Sequence, residues 1–344
     1  MISNLVRWIL ARIFQLPHSL KLRLLRAEPI VIRGNTLHPD LQLLLAWDRF
    51  LPKLNRKPPP KARTIYAKSA KFTGTPLPKN MTIQNRVIPL KQTELPIRIY
   101  TPENHSEGNC LIFFHGGGCV IGGLDSHGYY CGELADDTKA KVIAVGYRKA
   151  PEAKFPIPQE DAYAAYEWIY NNAGNLGINR EKILVIGDSA GGYLAASTCL
   201  KARDAKFPLP KGQVLIYPMT DLRMITDSHR VFANGFLLTS KLFSYFVQHH
   251  ISSPQDVHHP KASLILAQDL KGMPPAIIAI AGFDPLQDDG ACFGEQLRKE
   301  GNQVEFIHHP QLIHGFITMS GVLPAARHAN QKIAKSCLRM LQST

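Results

Sequence analysis

The chain has 344 residues, 45% of them hydrophobic, which suits one large α/β domain with a smaller appendage and excludes a disordered chain. Its net charge of +13 is lopsided, because residues 1–100 carry 18 Lys and Arg against 4 Asp and Glu, while residues 101–344 carry 22 against 23. No nucleic-acid motif accompanies the basic excess, so no nucleic-acid partner is expected, and an anionic membrane surface suits it better.

Ile2, Leu5, Val6, Ile9, Leu10, Ile13 and Phe14 fall at helical spacing, interrupted by Arg7 and Arg12. The stretch is too short and charged to span a bilayer, and it lacks the apolar run and cleavage site of a signal peptide. The preferred reading is a helix packed on its own protein. The other reading is an amphipathic helix making peripheral membrane contact. A second helical pattern covers Asp40 to Leu51, with Leu41, Leu43, Leu44, Leu45, Trp47 and Phe50. Lys57-Pro58-Pro59-Pro60-Lys61 then reads as a non-helical linker, followed through Pro78 by covering material.

Regular alternation starts next. Arg86–Leu90 and Ile97–Tyr100 read as an antiparallel pair. Cys110–Phe114, Val142–Val145, Ile183–Ile186, Val214–Tyr217, Ala276–Ala281 and Val304–Ile307 read as later strands. Several are continuous apolar runs, as strands buried on both faces require. Helical patterns lie between them, near 127–139, 158–172, 190–203, 286–299 and 323–342. The expectation is an α/β fold with a mostly parallel eight-stranded sheet and helices on both faces. Residues 222–268 break the rhythm and insert helical material, Lys241–His250, between two strands. Six scattered cysteines with no CxxC pair read as buried free thiols in a reducing, cytoplasmic setting.

Chemistry concentrates at Gly187-Asp188-Ser189-Ala190-Gly191-Gly192, between the Ile183–Ile186 strand and a helix starting at Tyr193. Strand, tight turn with one serine, then helix is the context of a nucleophile elbow. The turn strains the serine backbone, so its neighbours must be small. A serine hydroxyl needs a base, and the base needs an orienting acid. His314 in Leu312-Ile313-His314-Gly315-Phe316 and Asp284 in Ala281-Gly282-Phe283-Asp284-Pro285 follow strands, in the chain order serine, acid, histidine. His308 and His309 are rivals by sequence but end the preceding strand. His249-His250 and His258-His259 lack a third spaced ligand, so no metal site is expected. His115-Gly116-Gly117-Gly118 follows the Cys110–Phe114 strand and can aim backbone N–H groups at a developing oxyanion.

Together, His115-Gly116-Gly117-Gly118, Gly187 to Gly192, Gly282-Phe283-Asp284-Pro285-Leu286 and His314-Gly315-Phe316 resemble the hormone-sensitive-lipase family of bacterial esterases. Tyr147-Arg148-Lys149-Ala150-Pro151-Glu152 and Phe155-Pro156 resemble that family's segment between oxyanion loop and elbow. The likeness covers roughly residues 85–342. It implies an α/β-hydrolase fold: residues 81–221 and 269–344 as catalytic domain, 1–80 as N-terminal cap segment and 222–268 as cap insert. It also implies hydrolysis of short- to medium-chain carboxylic esters, with no cofactor. Ser189 would be nucleophile, His314 base and Asp284 orienting acid, and the amides of Gly116, Gly117 and Ala190 the oxyanion hole. Cys119, beside Gly118 at the substrate, stands where the family usually has an aromatic residue and would reshape the acyl pocket. Gly146 before Tyr147 and His259 before Pro260 replace acidic residues usual in the family. Asp188, Asp161 and Asp288 are read as supporting or structural residues. The triad leaves open a lipase or deacetylase of the same family; a fold-mate that had lost its base would be a small-molecule receptor. A homodimer is equally open.

Overall fold

A computed structural model describes residues 27–343 apart from 51, 91 and 92, together with Pro17, Leu20, Lys21 and Arg23. The helix expected over Ile2–Phe14 lies outside the described residues. Leu20, Lys21 and Arg23 are helical, and a short hairpin of β1 (Val31–Ile32) and β2 (Asn35–Thr36) follows, then α1 (Pro39–Asp48) and α2 (Pro59–Thr73). Here the structure corrects the linker reading of Lys57–Lys61, because Pro59 and Pro60 occupy the first turn of α2. Proline breaks a helix interior by removing an N–H, but the first turn needs no such donor and the ring presets φ. The Pro58 carbonyl accepts the Ala62 N–H at 3.0 Å and closes that first turn.

The body then runs β3 (Met81–Pro89), β4 (Glu94–Pro102), β5 (Gly108–Phe114), α3 (Leu124–Thr138), β6 (Lys141–Val145), α4 (Ile157–Asn171), β7 (Ile178–Asp188) and α5 (Ala190–Asp204). It continues with β8 (Gly212–Ile216), α6 (Asp227–Val231), α7 (Ser240–His250), β9 (Ala276–Phe283), α8 (Gln287–Lys299), β10 (Val304–Ile313) and α9 (Pro324–Gln342). The eight strands β3–β10 form one sheet in the order β10-β9-β8-β7-β5-β6-β4-β3. The pairings from β10 through β6 are parallel, while β4 lies antiparallel to β6 and to β3. The expected mostly parallel eight-stranded sheet is therefore present.

Register follows from burial on two faces. In β5, Cys110, Ile112 and Phe114 join one core with α4, α5 and α8, whereas Leu111 and Phe113 join the other with α3 and α9. In β7, Ile183 and Val185 go to the first core and Leu184 and Ile186 to the second. Each fully buried side chain of this size contributes about 1.5–3 kcal/mol, and a one-residue slip would exchange the two cores.

The parallel arrangement also decides where chemistry collects. Ser189 follows the last residue of β7, Asp284 the last of β9 and His314 the last of β10. Because β7, β8, β9 and β10 are successive parallel neighbours, all three residues emerge at the same carboxyl edge of the sheet.

Candidate active site

Ser189 occupies the step from β7 into α5 with φ +55° and ψ −119°. That conformation is strained for a residue with a side chain, and close packing maintains it. A methyl on Gly191 would overlap the carbonyl of Phe114, and one on Gly187 would overlap the Gly191 backbone, so the turn closes only around glycines. The Ser189 N–H donates to the Ile216 carbonyl at 2.8 Å, and its carbonyl accepts from Met219 at 3.1 Å.

His314 Nε2 lies 3.0 Å from Ser189 Oγ, and its Nδ1 lies 2.8 Å from Asp284 Oδ2. Asp284 is fully buried, and its other oxygen, Oδ1, accepts the Leu286 N–H at 2.8 Å. A carboxylate only accepts hydrogen bonds, so it fixes the proton of a neutral imidazole on Nδ1 and leaves Nε2 as an acceptor facing the hydroxyl. Ser189 is 7% exposed and His314 9%, enough for a small ligand to reach and little enough to exclude bulk water. The Tyr217 ring lies 4.5 Å from the His314 ring, centroid to centroid, and holds it from one side. The rival histidines stand elsewhere. β10 runs on through both of them; His308 sits beside Phe306 and buried His309 against Phe316. Burial pushes the His309 imidazole down to about 4.

The glycine loop corrects two sequence assignments. The Gly116 N–H donates to Asp188 Oδ1 at 2.7 Å, so this amide is engaged within the protein and does not serve as an oxyanion donor. The amides of Gly117, Gly118 and Ala190 donate to no acceptor among the described residues. Gly117 and Gly118 hold φ at +111° and +62°, a path favouring glycine. Cys119 is completely buried and belongs to the core shared with Tyr147 and Tyr193, so it presents no surface to a substrate. Burial pushes its thiol well above the ordinary range. Gly118 instead meets the insert helix α7, and a methyl on it would overlap the Phe246 side chain.

Asp188, read from the sequence as a supporting or structural residue, holds this loop together with His127, to which the sequence assigned no role. Asp188 Oδ1 stands 3.3 Å from buried His127 Nε2 as well as bonding Gly116. His115 is buried, with Nδ1 2.8 Å from the Gly116 carbonyl and its ring stacked at 4.2 Å on Tyr147. Burial pushes His115 well below its ordinary value, so it stays neutral. The loop after Asp284 is clamped by the start of the 222–268 insert. Ser228 Oγ donates to the Pro285 carbonyl at 2.6 Å, Thr226 Oγ1 to Asp289 Oδ1 at 2.8 Å, and His229 Nε2 lies 3.0 Å from Asp289 Oδ2. Asp288 joins the same clamp, accepting from the Ser228 N–H at 2.7 Å and from Arg33. Asp161 instead anchors Arg148 through its backbone and guanidinium. Among the described residues no three His, Cys, Asp or Glu side chains gather as a metal site.

Comparison with known proteins places the chain in a family. The family described by the alpha/beta hydrolase fold matches residues 111–318, which include Ser189, Asp284 and His314. The chain belongs to the α/β-hydrolase family, among its hormone-sensitive-lipase-like carboxylesterases. This hydrolase is 37% identical over 313 residues to carboxylic ester hydrolase LipN of Mycobacterium tuberculosis, covering 88% of this chain and 83% of that one. It is 36% identical over 236 residues to ethyl acetate hydrolase of Pseudomonas putida, covering 67% and 74% respectively. Among solved structures, the hydrolase superposes on the esterase of Pyrobaculum calidifontis with a TM-score of 0.82 at 34% identity, over 89% of this chain and all of that one. Among the described residues no helix is long and apolar enough to cross a membrane.

Proposed function

We propose that the protein is a serine carboxylesterase that hydrolyses short- to medium-chain carboxylic esters through an acyl-enzyme. The observation that carries this reading is the continuous pair of hydrogen bonds from Ser189 through His314 to Asp284, at 3.0 and 2.8 Å. Ser189 Oγ attacks the ester carbonyl carbon while its proton passes to His314 Nε2. The oxyanion is met by the amides of Gly117, Gly118 and Ala190. The carbonyl–alkoxy bond then breaks, and the alcohol leaves with the proton from His314. A water then gives its proton to the same nitrogen and attacks the acyl carbon, the bond from that carbon to Ser189 Oγ breaks as His314 returns the proton to Oγ, and the acid leaves. Asp284 stays ionised and stabilises the imidazolium in both halves.

Residues 1–80 and 222–268 act as the cap over this centre. Two contacts support that role: Phe246 lies against Gly118, and the Tyr245 hydroxyl donates to the Lys57 carbonyl at 3.0 Å. The large Phe246 ring close to the oxyanion loop favours small acyl groups over long chains. The name of the Pseudomonas putida relative, ethyl acetate hydrolase, points the same way.

The test is steady-state hydrolysis of p-nitrophenyl esters from acetyl to palmitoyl, for the wild type and Ser189→Ala. Wild-type turnover is expected to peak at short chains and the variant to lose it while keeping its thermal midpoint. Equal turnover in the variant would remove Ser189 as nucleophile, and a peak at palmitoyl would make the enzyme a long-chain lipase.

A further inference from the structure

Trp47 and Phe50 stand out at the end of α1. Trp47 is 50% exposed and Phe50 83%, the largest exposure of a large hydrophobic residue among the described residues. An aromatic ring left in water carries a cost that a solvent-facing polar side chain would avoid. Their surroundings are one-signed. From Arg49 to Thr93 the sequence holds eleven Lys and Arg and no Asp or Glu. Arg49, Lys53, Arg56, Lys57 and Lys61 belong to the segment next to the two rings, with Asp48 the one acid, held by Lys53 at 2.7 Å. Arg49, Lys53, Arg56 and Lys61 are exposed.

We propose that the segment Trp47–Lys61 docks this enzyme on an anionic lipid surface, with Phe50 and Trp47 entering the headgroup layer and the flanking cations meeting lipid phosphates. Aromatic rings settle at the level of the headgroups, and cations close to an anionic leaflet are attracted within about one Debye length, roughly 8–10 Å. Neither half of that pairing suffices alone: two rings bury little apolar area, and cations alone are screened by salt. The position of the segment gives docking a purpose. Its Lys57 carbonyl accepts from Tyr245 on α7, and the next residue of α7, Phe246, packs on Gly118. A lipid surface held at Trp47–Lys61 therefore adjoins the helix lying against the proposed oxyanion loop. The inference goes beyond the esterase reading and is read out by binding, so either can fail without the other.

The experiment is co-sedimentation of the full chain with sucrose-loaded vesicles, pure phosphatidylcholine against phosphatidylcholine mixed with phosphatidylglycerol. Binding is expected on the anionic vesicles, about tenfold weaker on the neutral ones, and to fall about tenfold between about 0.05 and 0.5 M NaCl. Trp47→Ala/Phe50→Ala is expected to lower partitioning about tenfold, and Arg49→Glu/Arg56→Glu/Lys61→Glu to abolish it. Both variants should keep the wild-type circular dichroism spectrum and the wild-type turnover of soluble p-nitrophenyl butyrate. Equal binding to neutral and anionic vesicles would overturn the proposal. So would wild-type binding by the triple charge variant, which would place the attraction elsewhere in the chain. A wild type that dimerises through Phe50 and ignores both vesicles would overturn it as well.

Discussion

Gly118→Ala tests the proposed oxyanion geometry with a single methyl. The added Cβ would overlap Cβ and Cγ of Phe246 and stand 2.6 Å from its Cδ2, well inside normal contact. The backbone at Gly118 has φ +62°, which costs an L-residue about 1–2 kcal/mol before any overlap is counted. Either the ring or the loop must yield. The ring belongs to the core and is 6% exposed, so the loop is expected to move with it. Losing one well-aimed oxyanion donor costs about 3–4 kcal/mol, a fall in kcat of roughly 10²–10³. The assay is kcat and KM for p-nitrophenyl butyrate, with the thermal midpoint measured alongside. The expected result is a large loss in kcat with a small change in KM, partly restored in Gly118→Ala/Phe246→Ala, where the overlap is gone and the backbone strain remains. A kcat within twofold of wild type would refute both the donor role of Gly118 and the packing argument.

Three further outcomes follow from the same structure. Asp284→Asn keeps a hydrogen bond to His314 Nδ1 but holds the wrong tautomer, so kcat should fall on the order of 10⁴-fold with the fold retained, as thermal denaturation would show. His250 is buried with neither ring nitrogen bonded within the described residues, and burial lowers its pKa from 6.5 to about 4. The unfolded chain then binds a proton between these values that the folded chain refuses, so stability present above pH 6.5 is lost as pH falls towards 4. His250→Leu should flatten that decline in urea-unfolding midpoints measured from pH 7 to 4.5. Of the six cysteines only Cys292 is exposed and the other five are buried, so a thiol reagent should label one site rapidly in the native enzyme and six in denaturant.

The triad was legible in the sequence because its physics is local. A serine between a β-branched strand and a small-residue helix start, an acid after one strand and a histidine after the next each announce themselves within a few residues. Parallel pairing does the rest, since neighbouring strands bring Ser189, Asp284 and His314 to one edge. The oxyanion loop was less legible. Three consecutive glycines advertise available amides, but which one is already engaged depends on the Asp188 carboxylate, distant in sequence and adjacent in space. Cys119 misled for a similar reason, because a residue next to a site by number need not face it. The clamp of Thr226, Ser228 and His229 on Pro285 and the first turn of α8 had no sequence signal at all, since hydroxyl and imidazole side chains acquire a partner only when the insert folds back. The length of β3 was hidden too. Most of its side chains face solvent, so the apolar alternation that betrays a half-buried strand is missing.

Everything proposed for the reaction requires that the Ser189 hydroxyl be the atom that receives the acyl group. The direct measurement is intact-protein and peptide mass spectrometry after treatment with a p-nitrophenyl phosphonate, which a serine nucleophile attacks and then cannot release. One adduct per chain, carried by the peptide containing Ser189 and missing in both Ser189→Ala and His314→Ala, is the expected result. An adduct on another residue, or equal labelling of the His314→Ala protein, would contradict it.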